Sequence, residues 1–391
     1  MRKVVVAGIG QTAFGRFLPR SVRSLAEEAL QKVVSDAAIS QSDIETVFFA
    51  NALSGLVTGQ ETVRGQVALR NTQLMGRPII NVDNACASGS SAFRLAWLSV
   101  ASEQVDIALA IGAEKLTHED KRVTFAAFAA GVDVEERDRL MQETPENRSI
   151  FMDIYAEKAR KYMVASGATA EDFARVCVKS RHAASLSPWA QFKSEISVEE
   201  VLSSRVVRSP LTLPMCSPIA DGAAAIVLVC EKVAKRLGSA NIVVRSTEIV
   251  SANHDGNDPT CAERAGKLAY ENAGVGPEDI HVAEVHDASA PAEIMLYERL
   301  GFAGKYMGVE LLRQGVTSVG GRLPVNPGGG LLSRGHPVGA TGLAQIVELA
   351  TQLRGAAGAR QRNGAKVGLA ECSGGQIGLD SALASVSILS I

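Results

Sequence analysis

Short apolar runs and longer amphipathic stretches take turns along almost the whole chain. Val4-Val5-Val6-Ala7, Val47-Phe48-Phe49-Ala50, the run ending near Val82, Ile107-Ala108-Leu109-Ala110-Ile111, Ala223 to Val229, Val282 to Val285 and Lys366 to Ala370 are brief and nearly continuous. That pattern fits strands buried on both faces. Between them, Leu25 to Ala37, the run from Ala92 and Cys261 to Ala273 carry alanine-rich helical patterns. Strand-helix alternation of this kind predicts an α/β protein, with parallel sheets covered by helices on both faces.

The pattern also repeats. Ile39 to Glu45 followed by Val47 to Asn51 resembles Val275 to His281 followed by Ala283 to Asp287, with the Asp-Ile pairs 236 positions apart. Cys86-Ala87-Ser88-Gly89 opens an apolar helix leading to the strand at Ile107, as His336-Pro337-Val338-Gly339 opens one leading to the strand at Lys366. A third pair sets Asp221 to Val229 against Gly374 to Ser381. Three pairs in the same order predict two related halves, 1–116 with 214–240 and 241–391. The stretch 117–213 is then an insert, charged and irregular at Glu135 to Arg139 and helical through Ile150 to Val164 and Ala170 to Ser185. Inserts on a rigid scaffold often shape a pocket, although a packing or oligomerisation arm fits the same pattern.

Composition narrows the class. A chain of 391 residues, 46% hydrophobic with 36 glycines, can bury a substantial core. A formal net charge of −2 gives no electrostatic reason to expect nucleic acid or an anionic membrane as partner. No charge-free run of 18 apolar residues suggests a membrane span, and the apolar stretch after Arg2-Lys3 is broken by Gly8 and Gly10. Six cysteines are scattered without a C-x-x-C pair, so neither a zinc site nor a disulfide scaffold is expected, and no metal. The expected compartment is reducing and cytoplasmic.

Four candidate segments lie at turns after predicted strands, where active sites of doubly wound sheets gather. Cys86 sits at a strand-to-helix turn among small neighbours, where free N–H groups and the helix dipole are expected to favour thiolate. His286-Asp287-Ala288-Ser289 follows the strand at Val282. Gly335-His336-Pro337 opens a helix, with His336 at the position corresponding to Cys86 across a pseudo-twofold. Glu371-Cys372-Ser373-Gly374-Gly375 ends the next strand. A Cys–His pair makes an activated sulfur nucleophile, a second cysteine can act as acid or base, and glycine N–H groups suit an oxyanion hole.

Over nearly its whole length the chain resembles the thiolase superfamily. The resemblance rests on Cys86-Ala87-Ser88, His286-Asp287, Gly335-His336-Pro337 and Cys372-Ser373-Gly374 in that order. Weaker matches are Gln11 to Arg16, Tyr155-Ala156-Glu157 and Asp221 to Ala224. His286-Asp287 looks like the sterol-carrier-protein type, yet Ala288 stands where that group often has cysteine, and Cys372 is kept.

The resemblance implies two βαβαβαββ halves forming an α-β-α-β-α core of five layers. It implies transfer of an acyl group to Cys86 activated by His336, with Cys372 moving the α-proton. His336 and His286 would hold one thioester oxygen, and the backbone N–H groups of Cys86 and Gly374 the other. Coenzyme A is then a substrate, with no permanently bound cofactor. Met152 and Ser289 are substrate-facing candidates. A homodimer or homotetramer, and a small zinc-ribbon/OB-fold accessory subunit, are the implied partners. A retro-aldolase or ketoacyl synthase on the same fold, or a noncatalytic acyl-CoA-binding scaffold, are the competing readings. Acyl-chain specificity and the CoA contacts have no decodable pattern.

Overall fold

The computed structural model describes residues 2–141, 149–253 and 259–391. Its strands are β1 (Val4–Gln11), β2 (Thr46–Ala50), β3 (Ile79–Val82), β4 (Ile107–Glu114), β5 (Val206–Arg208), β6 (Leu211–Thr212), β7 (Gly222–Cys230), β8 (Val243–Ser251), β9 (Val282–Glu284), β10 (Val367–Gly374) and β11 (Leu383–Ser390). Nine of them run β3-β2-β4-β7-β1-β8-β11-β10-β9, while β5 and β6 pair separately.

The duplication is visible in the pairing. In the first half β2 is parallel to β3 and β4, and β7 is antiparallel to β4 and β1. In the second half β9 is parallel to β10, and β11 is antiparallel to β10 and β8. The counterpart of β3 is reduced to one parallel bridge between Ala283 and Val325. Among the described residues the half-sheets meet only through β1 and β8, with Val5 opposite Val243.

Helices cover both faces as the alternation requires. Val22–Ala37 packs on β1, β7 and β4, and Cys261–Ala273 on β8 and β11. Ser88–Ala101 and Thr341–Leu353 pack on each other and on strands of both halves, forming the middle of five layers. Small residues permit that closeness. A Cβ at Gly342 would lie 2.6 Å from the Ser90 nitrogen, and one at Gly112 would lie 2.3 Å from the Gly339 carbonyl oxygen. Either contact is far inside ordinary van der Waals separation.

The repeated Asp-Ile pair has a physical cause. Asp43 and Asp279 each end a 3₁₀ turn and accept, at 2.8 Å, from the backbone N–H three residues back (Ser40 and Gly276). Each fixes the entry into the following strand, and Ile44 and Ile280 are buried behind it.

The insert packs mostly on the second half. Ala170–Ser185 lies against Ala290–Arg299 and the turn Gly330–Arg334. Its charged start is not irregular as expected: Val134–Met141 is helical, with Glu135 and Glu136 in its first turn, where acidic side chains oppose the helix dipole favourably. Among the described residues no helix is long and apolar enough to cross a membrane.

Candidate active site

Cys86 lies on a tight turn between β3 and the helix Ser88–Ala101. Ala85 takes φ of 50°, a left-handed conformation costly for a residue with a Cβ. The turn is held by its own bonds: Ala87 and Ser88 N–H donate to the carbonyls of Asn84 and Ala85 at 3.0 and 3.1 Å, and Asn84 N–H donates to Ser88 Oγ at 2.9 Å. β10 passes so close that a Cβ on Gly374 would stand 2.3 Å from the Asn84 carbonyl oxygen. Glycine is therefore required there for packing, and the glycine N–H directed at the sulfur belongs to Gly375.

From the other half, His336 Nε2 stands 3.3 Å from Cys86 Sγ. Its Nδ1 is 2.7 Å from Thr341 Oγ1, and that hydroxyl donates its proton to the Pro337 carbonyl at 3.0 Å. With its hydrogen used, Thr341 accepts from Nδ1–H, so Nε2 carries the lone pair facing the thiol. Burial, then the charges of His286 and Arg334, hold the His336 pKa well below its ordinary value. The imidazole is therefore a neutral base.

The expectation of a resting thiolate does not hold. Burial, then the charge of Glu114, pushes the Cys86 thiol up to about 12. The helix begins only at Ser88, and the two backbone N–H groups near the sulfur, those of Cys86 and Gly375, do not offset desolvation. The resting pair is thiol and imidazole.

Cys372 is fully buried on β10, and its thiol donates to the Cys86 carbonyl at 3.1 Å. Burial, then Glu371 and Cys86, raises its pKa well above the thiol value, so it is a protonated acid at rest. His286 packs edge-on against His336 with ring centroids 5.2 Å apart, and its Nε2 is buried without a partner among the described residues. Burial, then the charge of Lys158, lowers it to about 4. One ligating atom each of Cys86, His286 and His336 lies within 4.8 Å of the others. The four sequence candidates thus meet at one point.

The loops that aim them are braced by buried carboxylates, Asp287 from the His286 motif and Glu114 and Glu284 from outside the motifs. Glu114 accepts from the N–H groups of Ala52, Leu53 and Ser54 in one half and of Gly339 in the other. Asp287 accepts from Leu331 N–H at 2.7 Å, while Arg334 pairs with Glu284 at 3.0 Å, and together these fix both sides of the His336 turn.

The site opens into a cleft of about 700 Å³, walled by Phe125, Phe128, Phe151 and Met152. Arg16, Lys121, Arg181 and Arg205 also line it, four cations too scattered in sequence to be seen as a cluster. Ser289 is fully buried beside His286, its hydroxyl without a partner among the described residues.

A family model described as Thiolase, N-terminal domain matches residues 4–232, and one described as Thiolase C-terminal domain-like matches 243–390. The chain belongs to the thiolase family. This thiolase is 39% identical, over 90% of its own length and 89% of the relative's, to the benzoylsuccinyl-CoA thiolase subunit BbsB of Thauera aromatica. It is 37% identical to an acetyl-CoA acetyltransferase of Methanothermobacter thermautotrophicus, covering 96% and 97% of the two chains. In fold it resembles the Ltp2-ChsH2(DUF35) aldolase with a TM-score of 0.81 at 24% identity, covering 99% and 97%. Human mitochondrial 3-ketoacyl-CoA thiolase gives 0.74 at 17%, covering 100% and 98%. The thiolase is a thiolase-type acyl-CoA C-acyltransferase.

Proposed function

We propose that the enzyme carries out CoA-dependent thiolysis of a 3-ketoacyl-CoA, or the reverse Claisen condensation, through an acyl-Cys86 intermediate. The observation that carries this reading is the 3.3 Å contact between Cys86 Sγ and the lone-pair nitrogen of His336, with the Cys372 thiol directed at the same turn. Cys86 gives its proton to His336 Nε2 as its sulfur attacks the ketone carbon. The bond between C2 and C3 breaks, and the departing enolate takes the Cys372 proton. Free CoA then attacks acyl-Cys86 while its own thiol proton goes to Cys372. His336 returns its proton to the released Cys86 sulfur, and the cycle balances.

Charge develops on oxygen twice, and the site has a donor set for each. Protonated His336 and the unpartnered His286 Nε2, carrying hydrogen in the donor tautomer, serve the enolate oxygen. The backbone N–H groups of Cys86 and the Gly374-Gly375 turn serve the oxygen on the acylated carbon. The four cations along the cleft suit the phosphates of CoA, and Met152 and the phenylalanines suit its apolar arm and the acyl chain.

Residues 117–213 act as the pocket-forming insert of two thiolase halves. β3 ends the sheet with Ile80 at 44% exposure, an unpaired edge that suits a second copy in a homodimer or a dimer of dimers. BbsB is named as a subunit and a structural relative is titled with a DUF35 component, which supports a small accessory protein here as well. Six free cysteines fit a reducing compartment such as the cytoplasm. The test is to mix the protein, with any co-purifying subunit, with acetoacetyl-CoA and CoA and follow loss of enolate absorbance. Turnover that vanishes in Cys86→Ala supports the reading. Binding without turnover across aliphatic, aromatic and branched 3-ketoacyl-CoAs would replace it with a scaffold role.

A further inference from the structure

Beside His286 the cleft has a narrow side recess of about 20 Å³, room for one small polar group. Lys158, Ser289 and Arg299 line it, and it shares Tyr155, His286, Ser373 and Ser381 with the catalytic cleft. Resting on the thiolase reading above, we propose that this recess seats a carboxylate carried by the acyl group. The substrate class is then 3-ketoacyl-CoA esters bearing a second, free carboxylate a few atoms from the reacting carbons.

The charges of the recess are unbalanced. Among the described residues Lys158 Nζ bonds only the neutral Gln376 Oε1, at 3.0 Å, and stands over the Tyr155 ring. Arg299 has no hydrogen-bond or ion-pair partner among the described residues, and no carboxylate lies within ion-pair range of Lys158. The acidic groups that feel these cations are engaged elsewhere. Asp380 accepts from the N–H groups of Cys261 and Ser381, each at 2.8 Å, and Glu371 accepts from His286 N–H and Ser373 Oγ at 3.0 and 2.6 Å.

Two like charges sharing a half-buried wall repel, and the Lys158 pKa falls to about 8 through burial and then Arg299. Ser289 adds a third, neutral donor that is buried and unused. A guanidinium, an ammonium and a hydroxyl around a space of this size match the oxygens of one carboxylate. A neutral chain would desolvate both cations and return nothing. Lys158 is close enough to His286 to depress its pKa, so the bound group is attached near the thioester being polarised.

Two matched pairs of substrates test this. 3-Oxoadipyl-CoA is compared with 3-oxohexanoyl-CoA, and 2-(carboxymethyl)acetoacetyl-CoA with 2-ethylacetoacetyl-CoA. In at least one pair the carboxylated ester should show kcat/KM at least about tenfold above its neutral mate. In Lys158→Met combined with Arg299→Gln that ratio should collapse toward one. Neutral mates cleaved as well as the carboxylated ones by the wild type would overturn the proposal, as would a variant that keeps the ratio. If none of the four, nor any ester of the aliphatic, aromatic and branched panel above, is cleaved, the thiolysis reading fails on its own. Calorimetric binding of the same esters to Cys86→Ala then decides the recess: tighter binding of a carboxylated ester supports it, and equal binding removes it.

Discussion

Two helices begin face to face at the centre of the molecule, and the turns that precede them differ. Before Ser88–Ala101 a strained Ala85 leads straight into Cys86, and the chain reaches the helix two residues later within a closed set of backbone bonds. Before Thr341–Leu353 it takes a longer route, from Gly335 at φ 107° through His336, Pro337 and a 3₁₀ turn at Val338–Ala340. The short turn presents an acid, the Cys86 thiol. The longer one presents a base and locks its tautomer with a threonine from the helix itself. Duplication supplied the frame, and the unequal turns supplied the difference in proton affinity that chemistry needs.

Breaking the short turn's chemistry should have the largest effect. Cys86→Ala should lower acyl transfer by about 10⁴-fold or more while leaving the circular-dichroism spectrum intact, and no acyl-enzyme should form with acetyl-CoA by intact mass. On the other side, His336→Gln should cost about 10²- to 10⁴-fold in kcat. Loss of less than tenfold would mean that Cys86 does not depend on that imidazole. Cys372→Ala should still take up an acyl group but lose about 10²-fold or more in carbon–carbon cleavage. Wild-type cleavage by that variant would remove its acid role.

Finer changes sharpen the contrast. Thr341→Val frees Nδ1–H and should lower kcat about tenfold with KM little changed. Iodoacetamide alkylation of Cys86 should keep accelerating with pH, because the folded thiol yields its proton only near about 12. A plateau at or below about pH 7 would instead mark a preformed thiolate–imidazolium pair. The smallest effect is structural: Ala85→Gly should raise stability by about 1 kcal/mol or less, read as a higher midpoint in urea.

Much of the fold could be read from the chain because its cues are local. The duplicated Asp-Ile turns, the apolar strands and the helix Cys261–Ala273 stand where periodicity puts them. Cys86 and His286 were legible because each follows a strand, Cys372 because it stands near the end of one, and His336 because it precedes a helix start. What could not be read depends on distance in sequence. The proton state of Cys86 is set by burial and by Glu114 arriving from another strand, and helix position alone pointed the wrong way. Glu135 to Arg139 looked irregular from charge density, but Glu and Arg are good helix formers and the backbone of Val134–Met141 is helical. Arg16, Lys121, Arg181 and Arg205, like Lys158 and Arg299, become groups only when folding assembles them.

The atoms of the central pair belong to residues 250 positions apart, and the half-sheets they hang from share a single edge contact. A half made alone would own either an inert thiol or an idle imidazole, so a growing chain stays chemically silent until its last strands are in place. Contacts of such long range close late. Recovery of acyl transfer after refolding should therefore trail the return of helical signal, which makes activity a clock for the final docking of the two halves.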